Sequence, residues 1–243
     1  DALSGKVISE RVAIMAHPPS KTSDLSFKEF INSCCENSRV HVKLDFKELE
    51  AAQECMPLIE ELVPRFLKNG RTIFLNADIL PGPGIDNHND TSSYIDADVF
   101  MELCRKHVAM GAALSLGWKM SLPTSIPYTK TQMDRMIAVL EKYQLTTFGN
   151  SIVFAVNARC VYLDVEPIKY LLDKVERSQV LLWTGIGEPP TSSTMISKLK
   201  VHLAEDRTGY DVQMSSKEFI GIAYDVACYF YGFWLYYFPK TKK

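Results

Sequence analysis

Three charged residues sit at alternate positions in an otherwise apolar run, His41-Val42-Lys43-Leu44-Asp45-Phe46-Lys47. An extended strand points successive side chains to opposite faces. Lys43, Asp45 and Lys47 therefore share one face, and Val42, Leu44 and Phe46 share the other. Two readings stand. In a parallel strand of an α/β protein both faces are covered. The charged row then points into an interior, where charges must pair or bind a metal, and it reads as an active-site row. In an edge strand the same row is simply a solvated face.

Other residues add to this row. In residues 72–80 (TIFLNADIL), Phe74, Asn76 and Asp78 face one way and Leu75, Ala77 and Ile79 the other. An Asn-x-Asp pair inside an apolar strand needs hydrogen-bonding partners. His17 ends the run RVAIMAH just before Pro18-Pro19, a pair that forces an extended backbone and stops a strand. A lone histidine there is equally well a half-buried turn residue. Trp118, Asn157, Trp183 and Asp211 also fall at or near strand ends, where Trp is an ordinary core residue and Asp an ordinary turn cap.

These residues need a scaffold. Apolar residues at helical spacing predict helices over residues 24–32, capped by Ser23 or Asp24, and over 47–67, stopped by Asn69-Gly70. Further helices are expected over 96–110, 129–143 (capped by Thr129 or Thr131), 165–178 and 192–204. Strands are expected over 11–17, 41–47, 72–80, 113–118, 151–158, 179–184 and 208–212. Strand and helix alternate, which predicts a parallel sheet. At 243 residues the chain has the size of one TIM-type (β/α)8 barrel. In that fold functional groups gather at the C-terminal strand ends. Asp45, Lys47, Asn76, Asp78, Trp118, Asn157, Trp183 and Asp211 all lie there.

Composition narrows the rest. Net charge is −2, from 27 basic and 29 acidic residues, so a nucleic-acid partner is not expected. Six cysteines include no CxxC pair, which argues against a zinc site. Residues 85–94 hold Asp86, Asn87, His88, Asn89 and Asp90 without EF-hand spacing and read as a solvated loop. The chain opens at Asp1 without an apolar leader and reads as processed or partial. Residues 219–238 (FIGIAYDVACYFYGFWLYYF) are apolar except for Asp225 and precede a basic end. Length and flank fit a membrane anchor, whereas the acidic residue and tyrosines fit a helix packed on the domain. The expected division is a domain over 1–213 and an apolar segment over 214–243.

Several motifs occur in order: Ala13-Ile14-Met15-Ala16-His17-Pro18-Pro19, Lys43-Leu44-Asp45-Phe46-Lys47, Asn76-Ala77-Asp78-Ile79-Leu80-Pro81-Gly82-Pro83, Leu114-Ser115-Leu116-Gly117-Trp118, Tyr128-Thr129 and Leu182-Trp183. Together they resemble the menorin family, the "family with sequence similarity 151" proteins, from about Asp1 to Val212. The resemblance implies a barrel of the phospholipase-C-like phosphodiesterase kind, related to glycerophosphodiester phosphodiesterases. Such enzymes use two histidines and a Mg²⁺ held by carboxylates. By resemblance His17 matches one catalytic histidine, and Asp1 and Asp45 match metal ligands. Lys47 matches the lysine placed for the phosphate. Lys43, Asn76, Asp78, Trp118, Asn157, Trp183 and Asp211 become candidate substrate contacts, the two tryptophans as walls for a headgroup.

The chain also departs from the family pattern. A first strand with His-Ala-x-Asn and the Glu before Asp1 have no counterpart, and Phe154-Ala155-Val156-Asn157 stands where Phe-Pro-Val-Arg is usual. A barrel without its first strand, with weak metal binding and poor turnover, is the resulting expectation. The resemblance implies a second role as well, as a non-enzymatic extracellular or membrane-associated ligand that meets a cell-surface receptor in neuronal patterning. A third is a module that binds a phosphodiester or phospholipid headgroup without turnover.

Overall fold

The computed structural model describes residues 12–16, 20, 22–36, 40–85, 94–121, 125–145, 152–185 and 187–214. The expected functions of Asp1 and His17, the loop at 86–93 and the apolar segment 219–238 lie outside these residues. Among the described residues no helix is long and apolar enough to cross a membrane.

The chain runs α1 (Phe27–Glu36), β1 (Val42–Phe46), α2 (Leu49–Lys68), β2 (Ile73–Pro81), α3 (Ala97–Ala109), β3 (Ala113–Lys119), α4 (Lys130–Lys142), β4 (Ile152–Asn157), α5 (Ala158–Leu163), α6 (Glu166–Lys174), β5 (Ser178–Trp183), α7 (Ser193–His202), a 3-10 turn (Glu205–Arg207) and β6 (Thr208–Asp211). The six strands form one sheet in the order β1-β2-β3-β4-β5-β6, and every neighbouring pair is parallel. Parallel neighbours need a crossover, and here each crossover is helical. The expected alternation is therefore present.

The sheet curls. Lys43 on β1 and Asp211 on β6 belong to the two outermost strands, yet they lie within electrostatic reach of each other. The result is a half-barrel with helices outside and a lumen inside. Outward-facing Leu75, Leu116, Phe154 and Leu182 pack with helix residues such as Ile59, Phe66, Phe100, Leu140 and Leu171 in the main core. A separate cluster of Phe74, Ala113, Val153 and Leu181 lies on the other face and floors the lumen.

Local chemistry sets the element ends. Helix α1 starts later than the sequence suggests because Ser26 takes the capping role. Glu29 N donates to Ser26 Oγ at 3.3 Å, while Ser26 N donates back to Glu29 Oε2 at 3.0 Å. Ser23 Oγ accepts from Leu25 N, at 3.1 Å, in the turn before. Thr129 caps α4 as expected, in a capping box with Gln132. The strand expected over 11–17 is, among the described residues, a single antiparallel bridge between Ile14 and Ser26. The helix expected to reach residue 178 ends at Lys174, since Ser178 already opens β5. The short α5 was not expected. It forms because Asn157, the last residue of β4, turns its Oδ1 onto the N–H groups of Arg159 and Cys160.

A lumen-facing charged site at the strand ends

Alternation places the chemistry in layers inside the curl. Strand register sets Asp45 opposite Asn76, Asn76 opposite Ser115, and Ser115 opposite apolar Val153. One layer nearer the C-terminal ends, Asp78 stands opposite Gly117. At the rim, Asn157, Trp183 and Asp211 align across β4, β5 and β6.

Asp45 is the centre of this arrangement. Lys47 Nζ lies 2.8 Å from Asp45 Oδ2, and Asn76 Nδ2 donates to Asp45 Oδ1 at 2.6 Å. Ser115 Oγ in turn donates to Asn76 Oδ1 at 2.6 Å. Asn76 and Ser115 are buried, at 3% and 1% exposure. The Asp45 side chain keeps 38% of its surface accessible, on the edge strand of the described sheet.

The charges push one another apart in proton affinity. Burial on its own would raise the Asp45 carboxyl; Lys47, Lys43 and the hydrogen bonds from Lys47 and Asn76 together outweigh it and hold the group below its usual range. Asp78 behaves oppositely. Burial pushes its carboxyl up and Asp45 adds to this, against the opposing pull of Lys47, Lys119 and Lys43. Burial lowers Lys43 despite Asp45, Asp211 and Asp78. Burial also acts to lower Lys47, but Asp45 and Asp78 raise it on balance. The lumen thus holds two carboxyls shifted in opposite directions, Asp45 down and Asp78 up.

Gly117 leaves the space that the Asp78 carboxyl occupies. A Cβ on Gly117 would meet Asp78 Oδ1 at 2.4 Å. Just beyond, the register of β2 and β3 shifts between Asp78 and Leu80, an irregularity that re-aims the strand end.

The other expected site residues divide by place. Trp183 is partly buried at the rim beside Asn157 and Asp211. Trp118 is 1% exposed and packs in the main core, its ring 5.6 Å from Tyr128 and 6.1 Å from Phe154. Asn157 is fully buried and its polar atoms are engaged: Oδ1 caps α5, and Nδ2 donates to Glu188 Oε2 at 2.9 Å. Its backbone N–H donates to Tyr128 Oη at 3.0 Å.

Three participants were missed in the sequence. Ser115 and Gly117 alternate with Leu114 and Leu116, so strand periodicity was the available signal for both. Glu188 lies in a turn that reads as solvent-exposed, yet it is 6% exposed and accepts from Asn157 Nδ2 and from Gly185 N at 2.5 Å. Arg159 also donates to the carbonyls of Pro189 and Pro190 in that turn, and no local pattern announces these tertiary contacts.

Asp45 spends one lone pair of each oxygen on Asn76 and Lys47, and a carboxylate has about four such sites. Asp78 offers oxygen in the same lumen. Among the described residues no group of three or more His, Cys, Asp or Glu side chains gathers to hold an ion by itself. Mg²⁺ needs no such group, since it keeps waters and uses one or two carboxylates.

A curled parallel half-barrel with a charged lumen at its C-terminal strand ends defines the class of α/β protein. The Menorin N-terminal domain pattern matches residues 3–217. Protein FAM151B of Homo sapiens is 30% identical over 202 residues, covering 82% of this chain and 67% of that protein. No solved structure matches the chain. The chain belongs to the menorin family.

Proposed function

We propose that the lumen is a phosphate-ester site of phosphodiesterase type, within six strands of a (β/α)8-like barrel. The observation that carries this reading is the Lys47–Asp45–Asn76 grouping, an anionic oxygen donor and a cation held side by side at the strand ends. Asp45 and Asp78 would hold Mg²⁺, which when bound supplies positive charge against the phosphoryl oxygens. Lys47 and Lys43 supply charge of the same sign from the protein. Lys47 is suited to this because Asp45 and Asp78 keep it protonated. Ser115 and Asn76 are buried in the layer that carries Asp45, so the carboxylate is held from below. In a hydrolytic step the bond from phosphorus to the leaving alcohol breaks, water supplies the new oxygen, and the alcohol oxygen must gain a proton. His17 supplies that proton in this reading, which rests on the resemblance of its motif.

Thermal melting with and without Mg²⁺ tests the metal half of the proposal. Mg²⁺ is expected to raise the Tm of the native chain and to leave Asp45→Asn unchanged. An equal response of the two proteins, including no response in either, overturns it.

A further inference from the structure

We propose that Asn76 is a positioning residue for Asp45, and that Ser115 braces Asn76 in the orientation in which it does this. The proposal rests on the phosphate-ester reading only for its consequence in ligand binding. The relay itself rests on geometry.

Three adjacent strands contribute one residue each at the same level of the sheet. Parallel strands lie about 4.8 Å apart, so short polar side chains at paired positions can meet only if donor and acceptor alternate. They do alternate here. Ionised Asp45 has only acceptors, so the Asn76 amide must turn its Nδ2 toward it, and the 2.6 Å contact is that donation. The amide oxygen is then aimed at β3. It would be a stranded buried acceptor without the Ser115 hydroxyl, which donates to it at 2.6 Å. The next strand offers Val153 at this level and Ala113 lies below, both buried and apolar. The hydroxyl donates away from these, to Asn76 Oδ1. Each bond polarises the next, which strengthens a chain that ends on a charge.

This accounting leaves Asn76 with its amide committed on both sides. Its function is to hold Asp45 with Oδ1 fixed, so that Oδ2 faces Lys47 at 2.8 Å. Without the Ser115 hydroxyl, Asn76 Oδ1 loses its donor on the β3 side and the amide is held from the Asp45 side alone. The amide then loosens, and Asp45 with it.

The test uses Ser115→Ala and Ser115→Thr in the full chain with two independent readouts. The first is the Asn76 side-chain amide, followed by NMR as chemical shift and hydrogen exchange. Hydrogen exchange of the two protons should be slow in the native chain, faster with shifted resonances in Ser115→Ala, and slow again in Ser115→Thr. An Asn76 amide unchanged in Ser115→Ala overturns the relay. The second readout is Mg²⁺ affinity by titration calorimetry. Loss of an outer-shell partner is expected to weaken it ~10-fold or more, with recovery in Ser115→Thr. Unchanged Mg²⁺ affinity together with a mobilised Asn76 amide overturns the positioning role while leaving the hydrogen bond standing. A native chain that takes up no Mg²⁺ overturns the phosphate-ester reading instead, and the amide readout still decides the relay.

Discussion

At the scale of the residue, the lumen is a set of charges that would be costly one at a time and is tolerable as a group. Asp78 is the strained member. Its folded carboxyl prefers the proton more than the unfolded one does, so folding binds a proton there. Stability then falls as pH rises from the unfolded carboxyl value, about 4, through the higher folded value. Asp78→Asn should therefore melt above the native chain at pH 7, and the advantage should vanish below about pH 4. Melting curves across that range show it; an equal gain at every pH would remove the ionisation argument. Gly117→Ala tests the space Asp78 occupies. A methyl at 2.4 Å from Oδ1 must displace the carboxyl, at a cost of about 1–3 kcal/mol in urea unfolding. The same methyl should cost much less in the Asp78→Ala background. At this scale the sequence was informative where period-two alternation applies. Lys43, Asp45, Lys47, Asn76 and Asp78 could be placed on one side of the sheet, and the structure brings them to one lumen. Glu188 could not be found, because its partner Asn157 and the Arg159 that holds the neighbouring carbonyls lie about thirty residues away.

At the scale of the element, the strand ends hold their geometry through caps and through one tyrosine. Tyr128 Oη accepts from Asn157 N and donates to Met120 Sδ at 3.3 Å, joining the segment before α4 to the β4–α5 junction. Tyr128→Phe leaves a buried backbone donor unpaired and should cost about 1–3 kcal/mol. If urea unfolding moves by less than a few tenths, that N–H has another partner. Thr129→Ala removes half of the α4 capping box and should cost about 1 kcal/mol. Most elements were legible because their signals are local: Thr129, Asp96 and Ser192 cap where capping chemistry predicts. The exceptions are also physical. Ser26 outcompeted Ser23 and Asp24 because Glu29 reaches back to it. Helix α5 is too short for a periodic pattern and is recognisable only from its Asn157 cap.

At the scale of the molecule, six parallel strands in sequential order curl until β1 and β6 feel each other's charges, and that curl makes a lumen from what would otherwise be two charged edges. Alternating strands and helices made the parallel sheet foreseeable, but curvature is a property of the whole sheet and no single segment encodes it. Both opening readings of the Lys43 row keep a part at this scale: β1 is the edge of the described sheet, and Asp45 and Lys47 keep 38% and 36% of their side-chain surface. Lys43, Asp45 and Lys47 share protein surroundings with Asp78 and Asp211, so the row faces a lumen even though β1 ends the described sheet. Calorimetric titration of a short-chain glycerophosphodiester into the full chain with Mg²⁺ present tests the central claim most directly. The account expects saturable binding by the native chain, its loss in Lys47→Met, and loss of its Mg²⁺ dependence alone in Asp45→Asn. Binding that is absent from the native chain, or identical in all three proteins, would contradict it.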